Sequence, residues 1–374
     1  MDLQEKFAVT REDLNSSLIE RESEIDVALT ACVQREHCLF VGPPGTAKSL
    51  LAESLSRWIV GGRNFTVHCC KDTTRTSTFG PEKLSSFKKD KLERALEGAA
   101  ADCHILVLEE VFKAGPAVLD MFLMLMNERV YCEGVVNVET PLQTIFGVSN
   151  EWTPEGHEEG VNAFFDRFLF RKDVQEIATD EGIEKLLWAD QLNPNLRTTI
   201  TPDELAEASR LSLEIPWTDE AKESLWEIIK EAEKEGIHTG DRRKRKAPSA
   251  AQAFAFVCGD SEVKNEHLEI LSHVLWSDPI EQPSKVGRII GKIANPLAMK
   301  LNSYLSEANQ IVKEFDKHDI NSSAMATSKL EEIRGNILNL EGNGRAERAA
   351  AKVEEMRVQI FTECLGGVAT SKTV

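Results

Sequence analysis

The sequence predicts an α/β protein whose parallel strands hold a phosphate-bearing ligand at their carboxyl ends. Three stretches predict it. Leu39-Phe40-Val41 is a short β-prone run, followed by the turn-rich Gly42-Pro43-Pro44-Gly45-Thr46-Ala47-Lys48-Ser49 and by a helical pattern that opens at Leu50. Strand, loop and helix in that order are the context of a phosphate-binding loop. Ile105-Leu106-Val107-Leu108 is apolar throughout and ends in Glu109-Glu110, as a buried parallel strand with acid groups at its tip would. Leu142 to Asn150 is a further apolar strand, ending in the polar pair Ser149-Asn150. In open α/β sheets ligands sit where such strands end.

Each residue type in these stretches has a chemical reason. Gly42 and Gly45 let the backbone turn its N–H groups inward, and the helix N-terminus adds positive dipole. Pro43, Pro44 and Thr46 complete the loop, and Leu50 opens the helix. Lys48 reaches the β- and γ-phosphates, and the Ser49 hydroxyl ligates Mg²⁺. The usual pattern has Gly before the Lys, where Ala47 stands here; a methyl group fits if that residue has helical φ. Of the two carboxylates, Glu110 is placed to polarise an attacking water and Glu109 to support Mg²⁺ through water. The usual pair is Asp-Glu. Asn150, at its strand tip, can hydrogen-bond a γ-phosphate or the attacking water.

Composition narrows the partners. The chain has 374 residues and a net charge of −18, which argues against a general nucleic-acid binder and allows a basic partner. No apolar run approaches ~20 residues, so no transmembrane helix is expected. The N-terminal MDLQEKFAVTRED lacks an apolar signal core. Eight scattered cysteines without a CxxC pair signal neither zinc nor a disulfide framework, and suit buried thiols in a reducing cytoplasm.

Residues 1–35 read as helix, with Leu14, Leu18, Ile25 and Leu29 at helical spacing. The segment Leu18 to Glu22, including Glu20 and Arg21, stands where many P-loop ATPases pack a segment near the adenine; a surface helix joint is the alternative. Asn64 to Cys69 is a second strand, and His68 takes a strand-end or core role. Residues 71–100 are a polar insertion, with Phe79-Gly80-Pro81 in a loop and Lys83 to Gly98 helical. Val118 to Arg129 is an amphipathic helix, and Val130 to Val138 a hairpin around Gly134. Phe164 to Arg171 puts Arg167 and Arg171 after a loop. Residues 175–205 read as a connector. Leu205 to Leu213 and Ala221 to Lys234 are helical, with Trp226, Ile229 and Ala232 facing a core beside Leu225 and Ile228. Arg242-Arg243-Lys244-Arg245-Lys246 is a basic run. Beyond Asn295-Pro296 come three helices, carrying Leu297, Leu301, Leu305 and Val312, then Leu330, Ile333, Ile337 and Leu340, then Val353, Met356 and Ile360. The tail from Gly366 is expected to lack order.

These motifs in this order resemble the MoxR family of AAA+ ATPases, nearest its RavA-like branch: the loop at 42–49, Glu109-Glu110-Val111-Phe112-Lys113-Ala114, Asn127-Glu128-Arg129, Ser149-Asn150-Glu151 and Asp166-Arg167-Phe168. Ala before the loop Lys is common in that family, whereas Glu109 departs from its Asp. The resemblance covers about residues 10–285. It implies a doubly wound αβα domain with a small helical lid, and a ring, usually of six subunits, with ATP between neighbours. It implies Asn150 as sensor 1, Arg167 as the arginine finger, Arg242 or Arg243 as the lid arginine, 71–98 as the family insert and 130–139 as its hairpin. It also implies a partner with a von Willebrand factor A-type domain.

The expected divisions are 1–190 for the nucleotide-binding domain, 191–284 for the lid and 285–374 for a C-terminal helical extension. The expected activity is ATP hydrolysis with Mg²⁺, in a ring that remodels a partner protein. Two rivals stand beside it: a slowly hydrolysing switch or scaffold, suggested by Glu109, and a DNA-dependent motor, suggested by the basic run and disfavoured by the acidic balance.

Overall fold

The computed structural model describes residues 1–87, 93–133, 136–152, 159–188, 193–315, 320–340 and 345–370. These form two compact units, Met1–Gly287 and Arg288–Val374. The αβα part and the lid both lie within the first.

Asp2 starts helix α1 (Leu3–Ser17) by accepting the Glu5 N–H at 2.7 Å. The single helix expected over 1–35 is two: α2 is Glu22–Gln34, and Glu20 between them is left-handed at φ 53. The break has a tertiary cause, because the Glu20 and Arg21 side chains are both drawn onto distant backbone groups. Then come β1 (Cys38–Val41), α3 (Lys48–Trp58), β2 (Asn64–His68), α4 (Arg75–Phe79), α5 (Leu84–Phe87), β3 (Ile105–Glu109) and α6 (Pro116–Glu128). The hairpin β4 (Val130–Glu133) and β5 (Val136–Glu139), β6 (Thr144–Ser149), α7 (Glu159–Arg167) and β7 (Phe170–Asp173) follow. Gly134 and Val135, the expected hairpin turn, lie outside the described residues.

Five strands make one parallel sheet in the order β2-β3-β6-β1-β7, the centre of a doubly wound αβα fold. The apolar runs of β1, β3 and β6 occupy its middle and are buried to their last residues, as strands covered on both faces must be. β7 was not expected. Its Phe170-Arg171-Lys172-Asp173 is half polar, which suits a strand paired on one side only, with β1.

The insertion at 71–100 also departs from expectation. Phe79 ends a helix rather than sitting in a loop, and of the helix expected over Lys83 to Gly98 the described residues hold α5 alone. Residues 81–83 instead pair with 93–95, through Lys83 N–H to Glu93 O at 2.7 Å and Ala95 N–H to Pro81 O at 2.8 Å. Residues 88–92 lie outside the described residues. Gly80 is required at φ 86, since a Cβ there would meet Ala95 O at 2.0 Å.

The stretch 175–205 is not a plain connector: it holds α8 (Asp180–Trp188). Beyond it come α9 (Pro202–Ser212), α10 (Asp219–Lys234), α11 (Asp241–Cys258) and the 3₁₀ segment Asn265–His273. Helix α10 buries Ala221, Ser224, Ile228 and Ala232; of the expected face, Ala232 and Ile228 are buried, Leu225 and Ile229 are half-buried, and Trp226 turns outward. Trp226 is 60% exposed, with Lys230 over its ring. Ring contacts tie α1 into this unit, with Phe7 edge-on to Trp58 at 4.9 Å and to Phe256 at 5.7 Å.

Helix α12 (Gln282–Ala294) runs across the boundary between the units. In the second unit α13 (Pro296–Glu314), α14 (Ile320–Leu338) and α15 (Arg345–Thr370) surround a core that includes Leu301, Leu330, Ile333, Ile337, Val353 and Ile360. The tail expected to lack order is helical to Thr370; residues 371–374 lie outside the described residues. Among the described residues no helix is long and apolar enough to cross a membrane. Cys32, Cys38, Cys69 and Cys103 are buried thiols, but Cys70 is exposed.

In the first unit His37 is buried and His273 is half-buried. His37 accepts the Ile145 N–H on Nδ1 and gives its Nε2–H to Met126 O at 3.1 Å, so it is held neutral. Burial pushes the pKa values of His37 and His273 down to about 3. The unfolded chain takes up these protons near pH 6.5, and the folded chain does not. Stability is therefore full above that pH and falls as the pH drops below it, by about 1 kcal/mol per histidine between roughly pH 7 and pH 5.5. Urea unfolding at the two pH values measures this, and a pH-independent midpoint over that interval would contradict it.

Candidate functional site

The phosphate-binding loop is held by the sheet at its N-terminal end. Val174 N–H donates to Val41 O at 2.7 Å and Gly42 N–H to Ser149 O at 3.2 Å. The β7 exit runs so close that a Cβ on Gly42 would meet Val174 O at 2.0 Å, so only glycine serves there. Gly45 is left-handed at φ 82, and so is Ala47 at φ 64. That corrects the expectation of helical φ at Ala47. Its methyl group is tolerated in the turn that aims the loop amides inward, at a cost of roughly 1–2 kcal/mol. Lys48 and Ser49 open α3, with Lys48 buried and Ser49 half-buried. The Lys48 ammonium donates to Gly42 O at 2.7 Å, Pro43 O at 2.6 Å and Thr46 Oγ1 at 3.1 Å. Burial lowers its pKa, opposed by the Glu110 carboxylate.

Beside the loop lies a mainly apolar cavity of about 300 Å³, lined among others by Leu18, Ile19, Thr46, Leu50, Ile177 and Leu186. This is the low end of the size range for small-molecule pockets. Arg21 also lines it, but its guanidinium serves as a strut. It donates to Thr46 O at 3.0 Å, Glu20 O at 2.6 Å and Gln175 O at 2.9 Å. Glu20 is not among the lining residues. Its carboxylate accepts from Ala178 N–H at 2.9 Å, Thr179 N–H at 3.1 Å and the Thr179 hydroxyl, which hold it below the usual carboxylate range. Thr179 Oγ1 in turn accepts the Gly182 N–H at 3.0 Å, so Glu20 anchors the start of α8. The walls Ile177, Ile183 and Leu186 were missed in the sequence. Their signal was Thr179-Asp180-Glu181 ahead of apolar residues at helical spacing.

Register explains how the acid groups meet Asn150. Val41 lies opposite Ser149, and Glu109 opposite Val148. Glu110 then leaves the strand in a left-handed turn at φ 52, so strand alternation does not set where the two carboxylates point. Glu109 turns toward β2, where its Oε2 is 2.5 Å from His68 Nδ1. Glu110 accepts a hydrogen bond from Asn150 Nδ2 and pairs with Lys113 Nζ at 3.1 Å. Lys113 belonged to a quoted motif but had been given no role.

Two more candidates gather at Asp166. Arg167 ends α7, not a loop, with its Nη1 3.7 Å from Asp166 Oδ2 and 30% of its side chain exposed. Arg242 Nη1 lies 3.5 Å from Asp166 O. Their neighbours Arg171 and Arg243 are sealed in. Arg171 lies in β7 and donates to Phe165 O, Phe168 O and Trp276 O at 3.0–3.1 Å. Arg243 donates to Leu169 O and Val274 O at 2.9 Å and to Phe168 O at 3.0 Å. Both also reach Asp166 Oδ1 at 3.2 Å. Of the two lid arginines left open in the sequence, Arg243 is thus committed to the fold, and Arg242 is half-buried.

Comparison with known proteins agrees with this geometry. Residues 5–210 match the family model of the MoxR domain in MoxR–vWA–beta-propeller ternary systems, and residues 220–290 match an AAA lid domain. An uncharacterised protein of Methanocaldococcus jannaschii is 34% identical over 87% of this chain and 87% of its own length. A second from the same organism is 36% identical over 79% of this chain and 77% of its own. A crystal structure from Cytophaga hutchinsonii, described there as a candidate ATPase, aligns with a TM-score of 0.61 over 78% of this chain and 95% of its own, at 15% identity, which speaks to the fold alone. The chain belongs to the MoxR family of AAA+ ATPases.

Proposed function

We propose that this protein hydrolyses ATP as a ring, usual for the family at six subunits, and uses the cycle to remodel or assemble a partner protein in the cytoplasm. The observation that carries the reading is the meeting of Glu110, Asn150 and Lys113 beside a loop whose lysine feels the Glu110 charge. Lys48 exchanges neutral carbonyl partners for phosphate oxygens, a gain because both partners are then charged. The amides from Gly42 to Ser49 surround the phosphates, and the cavity at Leu18, Leu50 and Ile177 takes the base. Arg21 and Glu20 act by fixing the loop and α8. Glu110 orients and polarises the attacking water, and Asn150 holds that carboxylate in place. Ser49, and Glu109 through water, would hold Mg²⁺, which would supply positive charge against the phosphates. Arg167 reaches the neighbouring subunit's nucleotide, and Arg242 is the lid arginine.

The description of the matching family model supports a partner with a von Willebrand factor A-type domain. The DNA-dependent motor loses support, because most of the basic run is engaged within the fold. Arg243 is buried, Lys244 pairs with Glu233, and Lys246 pairs with Glu36 at 2.5 Å. A slowly hydrolysing switch keeps one specific observation in its favour, the engagement of Glu109 by His68.

Lys48→Ala is expected to weaken ATP binding about 10–100-fold, the worth of a lost charged hydrogen bond. Unchanged affinity by calorimetry, with the fold intact by circular dichroism, would overturn the loop assignment. Arg167→Ala is expected to bind ATP and hydrolyse it poorly, roughly 10³-fold or more below the parent. Mixing it with Glu110→Gln should recover activity where an intact finger meets an intact base. No recovery in verified mixed rings argues against action in trans. Glu109→Asp, one methylene shorter, is expected to release His68 and to keep or raise kcat with ATP affinity within about a few-fold. A steady-state assay that finds hydrolysis destroyed would mean Glu109 has another role.

A further inference from the structure

A second hollow lies in the first unit, built by the start of α1, by α9 and its exit, and by the end of α11. It is an open groove of about 860 Å³. Its lining carries six carboxylates, Asp2, Asp203, Glu204, Glu207, Glu214 and Asp260, and no Lys, Arg or His. Four basic side chains reach the rim from outside: Lys6 to Glu204 at 2.6 Å, Arg210 to Glu207 at 2.7 Å and to Glu214, Lys264 to Asp260 at 3.4 Å and His267 to Asp260 at 3.1 Å. They leave the groove with excess negative charge. The sequence around it shares the bias, since residues 201–235 hold eleven acidic residues against four basic ones.

The groove also offers apolar surface. Leu3 and Leu211 are half-buried in its wall, Pro216 is exposed, and Leu213 beside it is 59% exposed. An acidic rim over apolar contacts repels nucleic acid and anionic lipid. It suits a polypeptide that brings positive charge and an apolar side chain together. We propose that this groove docks a Lys/Arg-rich segment of a partner protein, which inserts an apolar side chain between Leu3 and Leu211. The groove shares α1 with the nucleotide cavity: Leu3 and Gln4 line one, and Ser17 lines the other. The helix between them spans about 22 Å, so the docking surface is separate from the nucleotide cavity.

The test uses the full chain and two fluorescein-labelled peptides, one with Lys and Leu at helical spacing and one with Glu in place of each Lys. Fluorescence anisotropy at low and high salt reads the affinity. The Lys/Leu peptide should bind, more weakly as salt rises, and the Glu/Leu peptide should not. Asp203→Asn with Glu207→Gln and Glu214→Gln should weaken binding at least about tenfold, since each rim charge contributes modestly. Leu211→Ser should weaken it about threefold or more with the charge unchanged. Exposed Asp203→Lys alone gives the same direction if the triple variant folds poorly. Glu128→Gln with Glu223→Gln and Glu227→Gln carries the same change of charge away from the groove, and should stay within about twofold of the parent. Loss as large in this control, equal binding of the Glu/Leu peptide, or no binding of the Lys/Leu peptide overturns the proposal. So does self-association in sedimentation that the groove variants abolish, because the occupant is then a second copy of this chain.

Discussion

The level ends of β1, β3 and β6 are the constraint on which the rest of the first unit depends. Their parallel register sets Val41 opposite Ser149 and Glu109 opposite Val148. The chain therefore leaves all three strands on one edge, and Gly42, Glu110 and Asn150 emerge together. A slip of one residue would send every side chain of a strand to the opposite face. Here it would also move Glu110 out of reach of Asn150. Burial of the apolar runs of β1, β3 and β6 on both faces fixes that register, so the geometry of a polar site is set by hydrophobic packing.

The loop itself is held under load. Lys48 is buried among its own loop's oxygens, and its charge is disfavoured there by desolvation. Ala47 sits in a conformation that costs an ordinary residue free energy. Arg21 offsets this by binding Thr46 O and Gln175 O together, so the joint between α1 and α2 braces the loop against the segment that leads into α8. Glu20 and Arg21 thus tie the loop to the start of α8, with Arg21 also lining the cavity between them.

Asp166 plays the corresponding part for the lid. One carboxylate faces Arg167 from α7, Arg171 from β7 and Arg243 from α11. Besides that carboxylate, Arg171 donates to three backbone carbonyls and Arg243 to four, which is what makes their burial tolerable. Removing a partner from such a network typically costs about 3–5 kcal/mol. The same residue also holds Arg167 through its carboxylate and Arg242 through its main-chain carbonyl.

By itself the sequence determined the loop, the acid pair and the Asn150 strand tip, because each is a local pattern whose period and turn residues do not depend on distant contacts. It likewise determined the three C-terminal helices, from spacings such as Leu330, Ile333 and Ile337. Tertiary structure alone decided the rest. Leu18 to Arg21 break a helical pattern because Glu20 and Arg21 find better partners across the fold. Phe170 to Asp173 become a strand because β1 leaves an edge open. Residues 180–188 become a helix whose apolar side closes the cavity. Helix α10 turns Trp226 outward because its smaller residues fit the lid. Arg243 is buried and Arg242 is not, although they are adjacent and chemically identical. Where a guanidinium goes depends on which carbonyls the fold brings within 3 Å of it, and no local pattern encodes that.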